Sequence, residues 1–571
     1  MRYVCLTCDF DGTIARDGIV ERTTIEALVR VRASGRKLLL ATGRQLDELL
    51  AIFPDAGFFD RIVAENGCLL YRPSSKERLA LAEPPPQRFI EELERRGVTP
   101  LSVGQCIVAT WHPQENTVLD VIRDMALELQ IIFNKNAVMI LPSGVNKGTG
   151  LRLALKDMGL SPHNVVGVGD AENDHGFLSL CECRAAVGNA LPALKASADW
   201  VAQRTHGAGV EELIELILKN DLEDLAPQLK RHEIVLGELA DGSSFSLPAY
   251  GMRLLIAGPS GGGKSTIVSS IVDRLAAKEY QVCLFDPEGD YDEFEPMVSL
   301  GGPDHIPTSS LVLESLNDPS QSVSINLLGV PLEDRPTFFQ SLLAHIRERR
   351  LKMGRPHWII VDEAHHLLPK EFLPGTETSK DLANVVLVTV HPDLISSEIL
   401  GTIDGIIIVG NDPHVFIDLF NRGAGTGYFF NSPIATPREP GYVLAWFFAD
   451  SHGPQFLKVK LAETERRRHR RKYAVGELGE DKSFYFRGAQ GKLNLRAQNM
   501  TLFTQLAEGL DDETWDFHLT QGDYSRWLRE AIKDRDLAGI VANIESDPTL
   551  SSTESRRQVI EAIRKHYTAS A

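Results

Sequence analysis

Two short segments of this chain end apolar runs in residues suited to phosphate chemistry. Near the start, Leu6-Thr7-Cys8-Asp9-Phe10-Asp11-Gly12-Thr13 sets two carboxylates two positions apart just past a strand-like run. At that spacing both point to the same side. Asp9 can attack phosphorus, and Asp11 can protonate the leaving oxygen and then activate water. A carboxylate attacking a phosphate dianion needs cations and held oxygens around it. Three further segments supply them. Thr42, in Leu40-Ala41-Thr42-Gly43-Arg44, can hydrogen-bond a phosphoryl oxygen, with Gly43 helping to orient it. Lys147, in Asn146-Lys147-Gly148, can neutralise developing charge. Asp170 and Asp174, in Gly167-Val168-Gly169-Asp170-Ala171-Glu172-Asn173-Asp174, complete with Asp9 and Asp11 a shell for Mg²⁺, and Asn173 orients groups near it.

The second segment, Gly258-Pro259-Ser260-Gly261-Gly262-Gly263-Lys264-Ser265-Thr266, fits G-x-x-x-x-G-K-[ST]. Its main-chain N–H groups would wrap nucleotide phosphates at a helix N-terminus. Gly258, Gly261, Gly262, Gly263 and Thr266 shape the loop, Lys264 reaches the β/γ oxygens and Ser265 binds Mg²⁺. Its partner is His357-Trp358-Ile359-Ile360-Val361-Asp362-Glu363, where Asp362 holds Mg²⁺ through water and Glu363 polarises the attacking water. A glutamate directly after the aspartate marks hydrolysis more than transfer to an acceptor. The neighbouring His365 and His366 face different directions on a helix, which favours packing or a sensor role over metal binding.

These residues need rigid strand ends to stand on. Residues 1–220 alternate short β-rich runs with amphipathic helices, as a doubly wound α/β sheet does. The runs Lys37–Thr42, Arg61–Tyr71 and Val165–Asp170 read as parallel strands. Residues about 84–143 carry their own helices and strands (Pro86–Arg96, Cys106–Trp111, Thr117–Leu129, Ala137–Pro142) and read as an α+β cap inserted between the Thr42 and Lys147 segments. Residues 221–230, with Pro227 and mixed charge, read as a linker. Residues 231–461 form the second α/β domain, with strand Arg253–Ala257 leading into the glycine loop and helix Thr266–Ala277 following it. Val235-Leu236-Gly237-Glu238-Leu239 recurs as Ala474-Val475-Gly476-Glu477-Leu478, each with Ser-Phe at the same later offset (Ser244-Phe245, Ser483-Phe484). Each copy reads as a hairpin flanking that domain. Residues 462–571 begin with the basic run Arg466–Lys472 and turn helical, with Trp515, His518, Tyr524 and Trp527 spaced as core residues of shared helix faces.

The four ordered acidic, threonine and lysine segments of residues 1–220 resemble the haloacid dehalogenase superfamily. Ala64-Glu65-Asn66-Gly67 and the cap position resemble its Cof-type branch. The resemblance implies a Mg²⁺-dependent phosphomonoester hydrolase for small substrates, often sugar phosphates or phosphoglycolate-like acids, with the cap choosing among them. The glycine loop, Phe285-Asp286-Pro287-Glu288-Gly289-Asp290-Tyr291 and Asp362-Glu363-Ala364-His365-His366-Leu367-Leu368-Pro369 make residues about 230–461 similar to HerA/FtsK-type ATPases, which act as ring-shaped motors on DNA or as partners in nuclease assemblies. At Thr389-Val390-His391-Pro392 the chain departs from that family's polar sensor, leaving His391 as the side chain able to report the γ-phosphate.

Composition narrows what such a chain can be. With 571 residues it is too long for one core. Its net charge of −18 argues against broad, non-specific nucleic-acid binding. It has no apolar run long enough to span a membrane, and Met1–Leu6 passes into Asp9 as a catalytic strand, not a signal peptide. Seven cysteines without framework spacing point to a reducing cytoplasm. Cys5 and Cys8 read as core. The expectation is a bifunctional enzyme, a capped phosphatase joined to a hydrolytic ATPase that forms a homo-oligomer, a hexamer by head-to-tail ring closure. Arg347, Arg349, Arg350 and Arg422 are the candidates for an arginine offered to a neighbour's ATP. The alternatives are a DNA-processing translocase whose phosphatase cleans 3′ ends, and a polynucleotide kinase–phosphatase.

Overall fold

The computed structural model describes residues 1–571 apart from 135, 293, 372–382, 429–440, 450–452, 461–482, 489–492, 533 and 568–571. Met1–Lys460 form one compact unit and Leu461–Ala571 a second. Ala474–Leu478 of the second repeat copy and the basic run lie outside the described residues.

The first lobe is built on an eight-stranded sheet. Its central strand β1 (Cys5–Asp9) lies between β2 (Lys37–Ala41) and β3 (Val165–Gly169), parallel to both, with Asp9 opposite Ala41 and Cys8 opposite Val168. All five residues of β1 and of β3 are buried, as a strand covered on both faces by helices requires. Arg61–Ala64 extends the parallel sheet beyond β2. The expected single strand Arg61–Tyr71 is broken, because Glu65 and Asn66 adopt left-handed backbone (φ 52° and 53°) and turn the chain back. Leu69–Arg72 therefore pairs antiparallel with Arg61–Ala64.

The cap is a four-stranded antiparallel sheet, in the order Leu129–Asn134, Ala137–Pro142, Val108–Trp111, Ser102–Val103. Helices Gln87–Arg95 and Glu115–Asp124 bury Phe89, Leu93, Val118 and Val121 against it. The stretch 221–230, expected as a linker, is tied down. Leu222, Leu225 and Leu229 pack into the first lobe's core, because three leucines at that spacing share one face.

The second lobe is an eleven-stranded sheet. Seven strands are parallel, and among them β4 (Arg253–Ala257), β7 (Val385–Thr389), β6 (Trp358–Val361) and β5 (Val282–Asp286) stand side by side in that order. Antiparallel Tyr442–Phe447 and Gln455–Val459 extend one edge, and the hairpin Ile234–Leu239/Ser244–Leu247 completes it. The first repeat copy is thus a hairpin on the edge of the second lobe's sheet.

Among the described residues of the second unit, a short hairpin (Phe484–Phe486, Leu495–Ala497) and five helices enclose an aromatic core. Trp515 and Tyr524 are fully buried and stacked, with centroids 4.4 Å apart. Among the described residues, no helix is long and apolar enough to cross a membrane, and all seven cysteines are buried without a disulfide.

Candidate active sites for phosphate chemistry

The neighbouring ends of β1, β2 and β3 bring Asp9, Thr42 and Asp170 together, as the register of the strands dictates. Asp9 and Asp170 are each 4% exposed, and Thr42 is fully buried. Lys147 opens α1 (Lys147–Asp157), where Asn146 caps the helix by accepting from the N–H groups of Gly148 and Thr149. The buried Lys147 ammonium donates to Asp9 Oδ1 and, at 2.7 Å, to Asp174 Oδ1. The other oxygen of Asp174 accepts the N–H groups of Asp170 (2.8 Å) and Ala171 (2.9 Å), so this one side chain ties the loop after β3 to the lysine.

Carboxylate oxygens of Asp9, Asp170 and Asp174 lie within 4.8 Å of one another. Burial and the charges of Asp174 and Asp170 hold the Asp9 carboxyl well above the ordinary range, against the pull of Lys147. Burial alone would lower Lys147, but Asp174 and Asp9 hold it above its usual value. Three buried acids against one ammonium leave a deficit of positive charge among hard oxygen donors, and a Mg²⁺ ion fits that deficit. Gly12 is required here: its φ is +86°, and a Cβ would lie 2.3 Å from Asp170 Oδ2.

Two features beyond the sequence reading complete this site. Arg44 forks both oxygens of Asp11, Nε to Oδ2 at 2.6 Å and Nη2 to Oδ1 at 2.7 Å, and fixes that carboxylate beside the cleft. Arg44 follows Thr42-Gly43 directly, so the pairing was within reach of the motif. Glu65, 1% exposed, accepts the main-chain N–H groups of Gln105, Cys106 and Ile107 at 3.0, 2.7 and 3.1 Å. A core carboxylate thus holds a cap loop. On the same side, a Cβ on Gly43 would lie 3.5 Å from Met139 Sδ of the cap and 3.6 Å from Asn173 Nδ2, so the cap reaches the loops that carry Thr42 and Asp170. Asn173 Nδ2 donates to Asn66 Oδ1 at 3.2 Å, while Asn66 Nδ2 and Asn173 Oδ1 are buried with no hydrogen-bond partner among the described residues.

In the second lobe Lys264 begins α2 (Lys264–Ala277), and its Nζ donates to Pro259 O at 3.2 Å. Gly261 and Gly263 take φ of +67° and +106°, which turns the loop's N–H groups inward, while Gly258 backs onto Val409 O. Ser265 and Thr266 lie in the helix's first turn, with Ser265 Oγ 3.5 Å from Asp290 Oδ2. Asp362 follows β6 and Asp286 ends β5. Burial, then the charges of Glu363, Asp286 and Asp290, pushes Asp362 up to about 7. Burial likewise pushes Asp286 up to about 6. Of these acids, Asp290 is the one that reaches Ser265.

Strand β7 lies between the strands carrying the glycine loop and Asp362, and it ends in Thr389. Thr389 Oγ1 lies 3.1 Å from His365 Nδ1 and accepts the N–H of His391. His365 Nδ1 is also 3.4 Å from Glu363 Oε2, a buried oxygen with no hydrogen-bond partner among the described residues. The expected sensor, His391, meets Glu363 only through the His365 ring, edge to face at 5.3 Å. Arg349 and Arg350, expected as candidates for a neighbour's site, are used within their own fold. Arg349 donates to Leu316 O and Asn317 Oδ1, and Arg350 to Pro356 O, His357 O and Ala383 O.

The comparisons agree with both halves of this description. Residues 6–94 and 115–214 match the family model of haloacid dehalogenase-like hydrolases, and residues 234–346 match that of the central domain of helicase HerA. A phosphoglycolate phosphatase of Sulfolobus acidocaldarius is 31% identical over 222 residues, 38% of this chain and 97% of that protein. One of Pyrobaculum islandicum is 29% identical over 229 residues, 39% of this chain and 98% of that protein. A solved haloacid dehalogenase-like hydrolase of Bacteroides thetaiotaomicron, 19% identical, matches 38% of this chain and 99% of its own with a TM-score of 0.34. Through its first lobe the chain belongs to the haloacid dehalogenase-like hydrolases, and it joins that phosphatase fold to a HerA-type domain.

Proposed function

We propose that the first lobe hydrolyses a small phosphomonoester, a phosphoglycolate-like acid or a sugar phosphate, through an aspartyl-phosphate on Asp9. The second lobe binds and hydrolyses ATP. The observation that carries the first part is the convergence of Asp9, Asp11, Thr42, Lys147 and Asp170 at three adjacent strand ends and one helix start, under a cap. Asp9 attacks phosphorus as the ester P–O bond breaks, and Asp11 gives its proton to the departing alcohol oxygen. Water then attacks the phosphorus of the aspartyl-phosphate, Asp11 takes its proton, and inorganic phosphate leaves with Asp9 restored. Thr42 and Lys147 hold and neutralise the phosphoryl oxygens. A Mg²⁺ ion on Asp9, Asp170 and Asp174 would offset the repulsion between nucleophile and substrate. The unpartnered Asn66 Nδ2 and Asn173 Oδ1 offer one donor and one acceptor to the rest of the substrate, and the names of the relatives support a carboxylated one.

The cap sets the size limit, because closure over Gly43 excludes water and polymers together. The test is a screen of the full chain with Mg²⁺ over 2-phosphoglycolate, sugar phosphates and a 3′-phosphorylated DNA duplex. A small ester is expected to give the highest kcat/KM, with activity lost in a chelator. Equal turnover of the duplex would favour the second reading, a DNA-processing ATPase with an end-cleaning phosphatase, to which the HerA-type domain gives its weight.

In the ATPase, Lys264 and Ser265 hold the phosphates, and Glu363 polarises water. Burial lowers His365 to about 4, so the ring is neutral near pH 7 and can donate one hydrogen bond without adding charge. Its Nδ1, between Thr389 and the unpartnered Glu363 oxygen, positions that carboxylate. His365→Ala is expected to lower the ATPase kcat by about tenfold or more with nucleotide affinity unchanged, and His365→Asn to restore part of it. An unchanged kcat in His365→Ala would remove the positioning role. The protein is further proposed to act in the cytoplasm as a homo-oligomer, with exposed Arg422 rather than Arg349 or Arg350 available to a neighbour's site.

A further inference from the structure

The two lobes meet at the amino ends of their parallel strands. Asn164 directly precedes β3 and His357 directly precedes β6. His357 Nε2 donates to Asn164 Oδ1 at 3.2 Å, while its Nδ1 accepts the main-chain N–H of Gln281 at 2.8 Å, which fixes a neutral tautomer. Asn164 Nδ2 donates to Arg2 O at 2.8 Å, just before β1, and to Gly354 O at 3.2 Å. Gly354 has φ +69°, and a Cβ there would stand 2.3 Å from Asn164 Nδ2, so the lobes approach this closely only over glycine. Arg355, 1% exposed, spans the seam to Gly159 O at 2.8 Å.

Beside this contact, buried Glu182 of the first lobe gathers Arg2 at 2.6 Å, His163 Nδ1 at 2.7 Å and the Tyr280 hydroxyl at 3.0 Å. The His163 ring stacks on Tyr280 with centroids 3.7 Å apart, and its Nε2 reaches Lys278 O at 2.6 Å. At the rim, Arg152 pairs with Glu279 at 3.0 Å. His163, Glu182 and His232 have the geometry of a metal triad. With the Arg2 guanidinium already on the only carboxylate, a divalent cation there would be buried beside a like charge, and the cluster reads as a seam.

Each element at this seam runs unbroken to a catalytic group. Helix α2 ends at Ala277, next to Lys278 and Tyr280, and begins at Lys264, about 21 Å away for 14 residues. Strand β6 leads from His357 to Asp362, and β3 leads from Asn164 to Asp170. Helix α1 begins at Lys147 and carries Arg152. The carboxyl ends of the strands, where both sites stand, point away from the seam on either side. Laid end to end, the five residues of β3 and four of β6 put the sites roughly 30 Å apart. Direct handover of a phosphoryl group is excluded by that separation, so communication between the sites is mechanical.

We propose that the seam couples the two sites, so that nucleotide on the glycine loop changes turnover at Asp9. The inference rests on the reading of both lobes as working phosphate sites. A phosphate on the loop would draw Lys264 Nζ off Pro259 O and displace the first turn of α2. The far end of α2 is held by stacked and hydrogen-bonded buried groups, which transmit a shift because a loosened buried charge is costly. Coupling of this kind runs in both directions.

The test uses the full chain, with p-nitrophenyl phosphate turnover measured with and without saturating ATPγS and nucleotide binding followed separately by calorimetry. ATPγS is expected to change kcat/KM by about fivefold or more. The change disappears in Lys264→Ala. Tyr280→Phe keeps the stack on His163 but loses the hydroxyl bonds to Glu182, and it shrinks the change while ATPγS still binds. In Asp9→Asn, the affinity for 2-phosphoglycolate shifts with ATPγS by a similar factor. If ATPγS binds and neither turnover nor 2-phosphoglycolate affinity moves, the coupling is overturned while both activities stand. If ATPγS fails to bind or no phosphomonoester is turned over, the functional reading falls and the coupling with it.

Discussion

Asp9→Asn is expected to abolish phosphatase turnover, by on the order of 10⁴-fold or more, while leaving the protein folded. The asparagine is isosteric and keeps an oxygen toward Lys147, but it cannot form the acyl-phosphate bond. Stability is the second readout. Asp9 sits at 4% exposure against Asp174 and Asp170, and burial with their charges already disfavours its ionised form. Removing that charge relieves repulsion among the acids, and Lys147 keeps Asp174 at 2.7 Å. The melting temperature is therefore expected to hold or rise, whereas removal of Lys147 would leave buried carboxylates uncompensated and lower it. Radiolabel transferred from substrate to protein should be trapped by acid quench in the wild type and absent from Asp9→Asn. Substantial turnover in the variant would sink the nucleophile assignment.

The parts of both sites that are local in sequence were legible in it. Asp9, Asp11, Thr42 and Asp170 stand at or just past the ends of periodic runs, Lys147 opens a helix, and the strand register brings Asp9, Thr42 and Asp170 to adjacent strand ends. The glycine loop is equally local, with its helix starting at Lys264 rather than Thr266. What the sequence concealed depends on partners far along the chain. Nothing near Glu65 says that its carboxylate will hold three N–H groups 40 residues on. The turn at Glu65-Asn66 does have a local signal in the pair Asn66-Gly67, but the apolar residues on both sides of it carry one strand-like run across the turn. The seam is the extreme case. His163 and Glu182 lie outside any motif, His357 opens the Asp362 segment without a role in it, and their meaning appears only when the strand starts of two sheets are set against each other. Arg350 shows the converse, since it lies in no motif that would tie it to its own site and yet donates to carbonyls at the start of β6.

The same back-to-back arrangement sharpens what to expect of the ATPase. Glu363→Gln should stop ATP hydrolysis while ATP stays bound, with kcat reduced by about 10²- to 10⁴-fold, the range for loss of a general base. Glu363 is the second residue after β6, in left-handed backbone at φ 41°, and its carboxylate feels the charge of Lys264. Burial raises its pKa, and Lys264 acts against that, so the carboxylate is a stronger base than an exposed glutamate. Glutamine keeps the shape, and the N–H of its amide can still meet Thr389 or His365, but it cannot accept a proton from water. Lys264→Ala should instead lose binding, since Lys264 is the loop's one side-chain cation for the phosphates. The two variants therefore separate in a filter-binding assay with labelled ATP, retention in the first and none in the second. A steady ATPase rate in Glu363→Gln would move the base elsewhere, with Asp286 next in line, because burial holds it near 6 on the adjacent strand end.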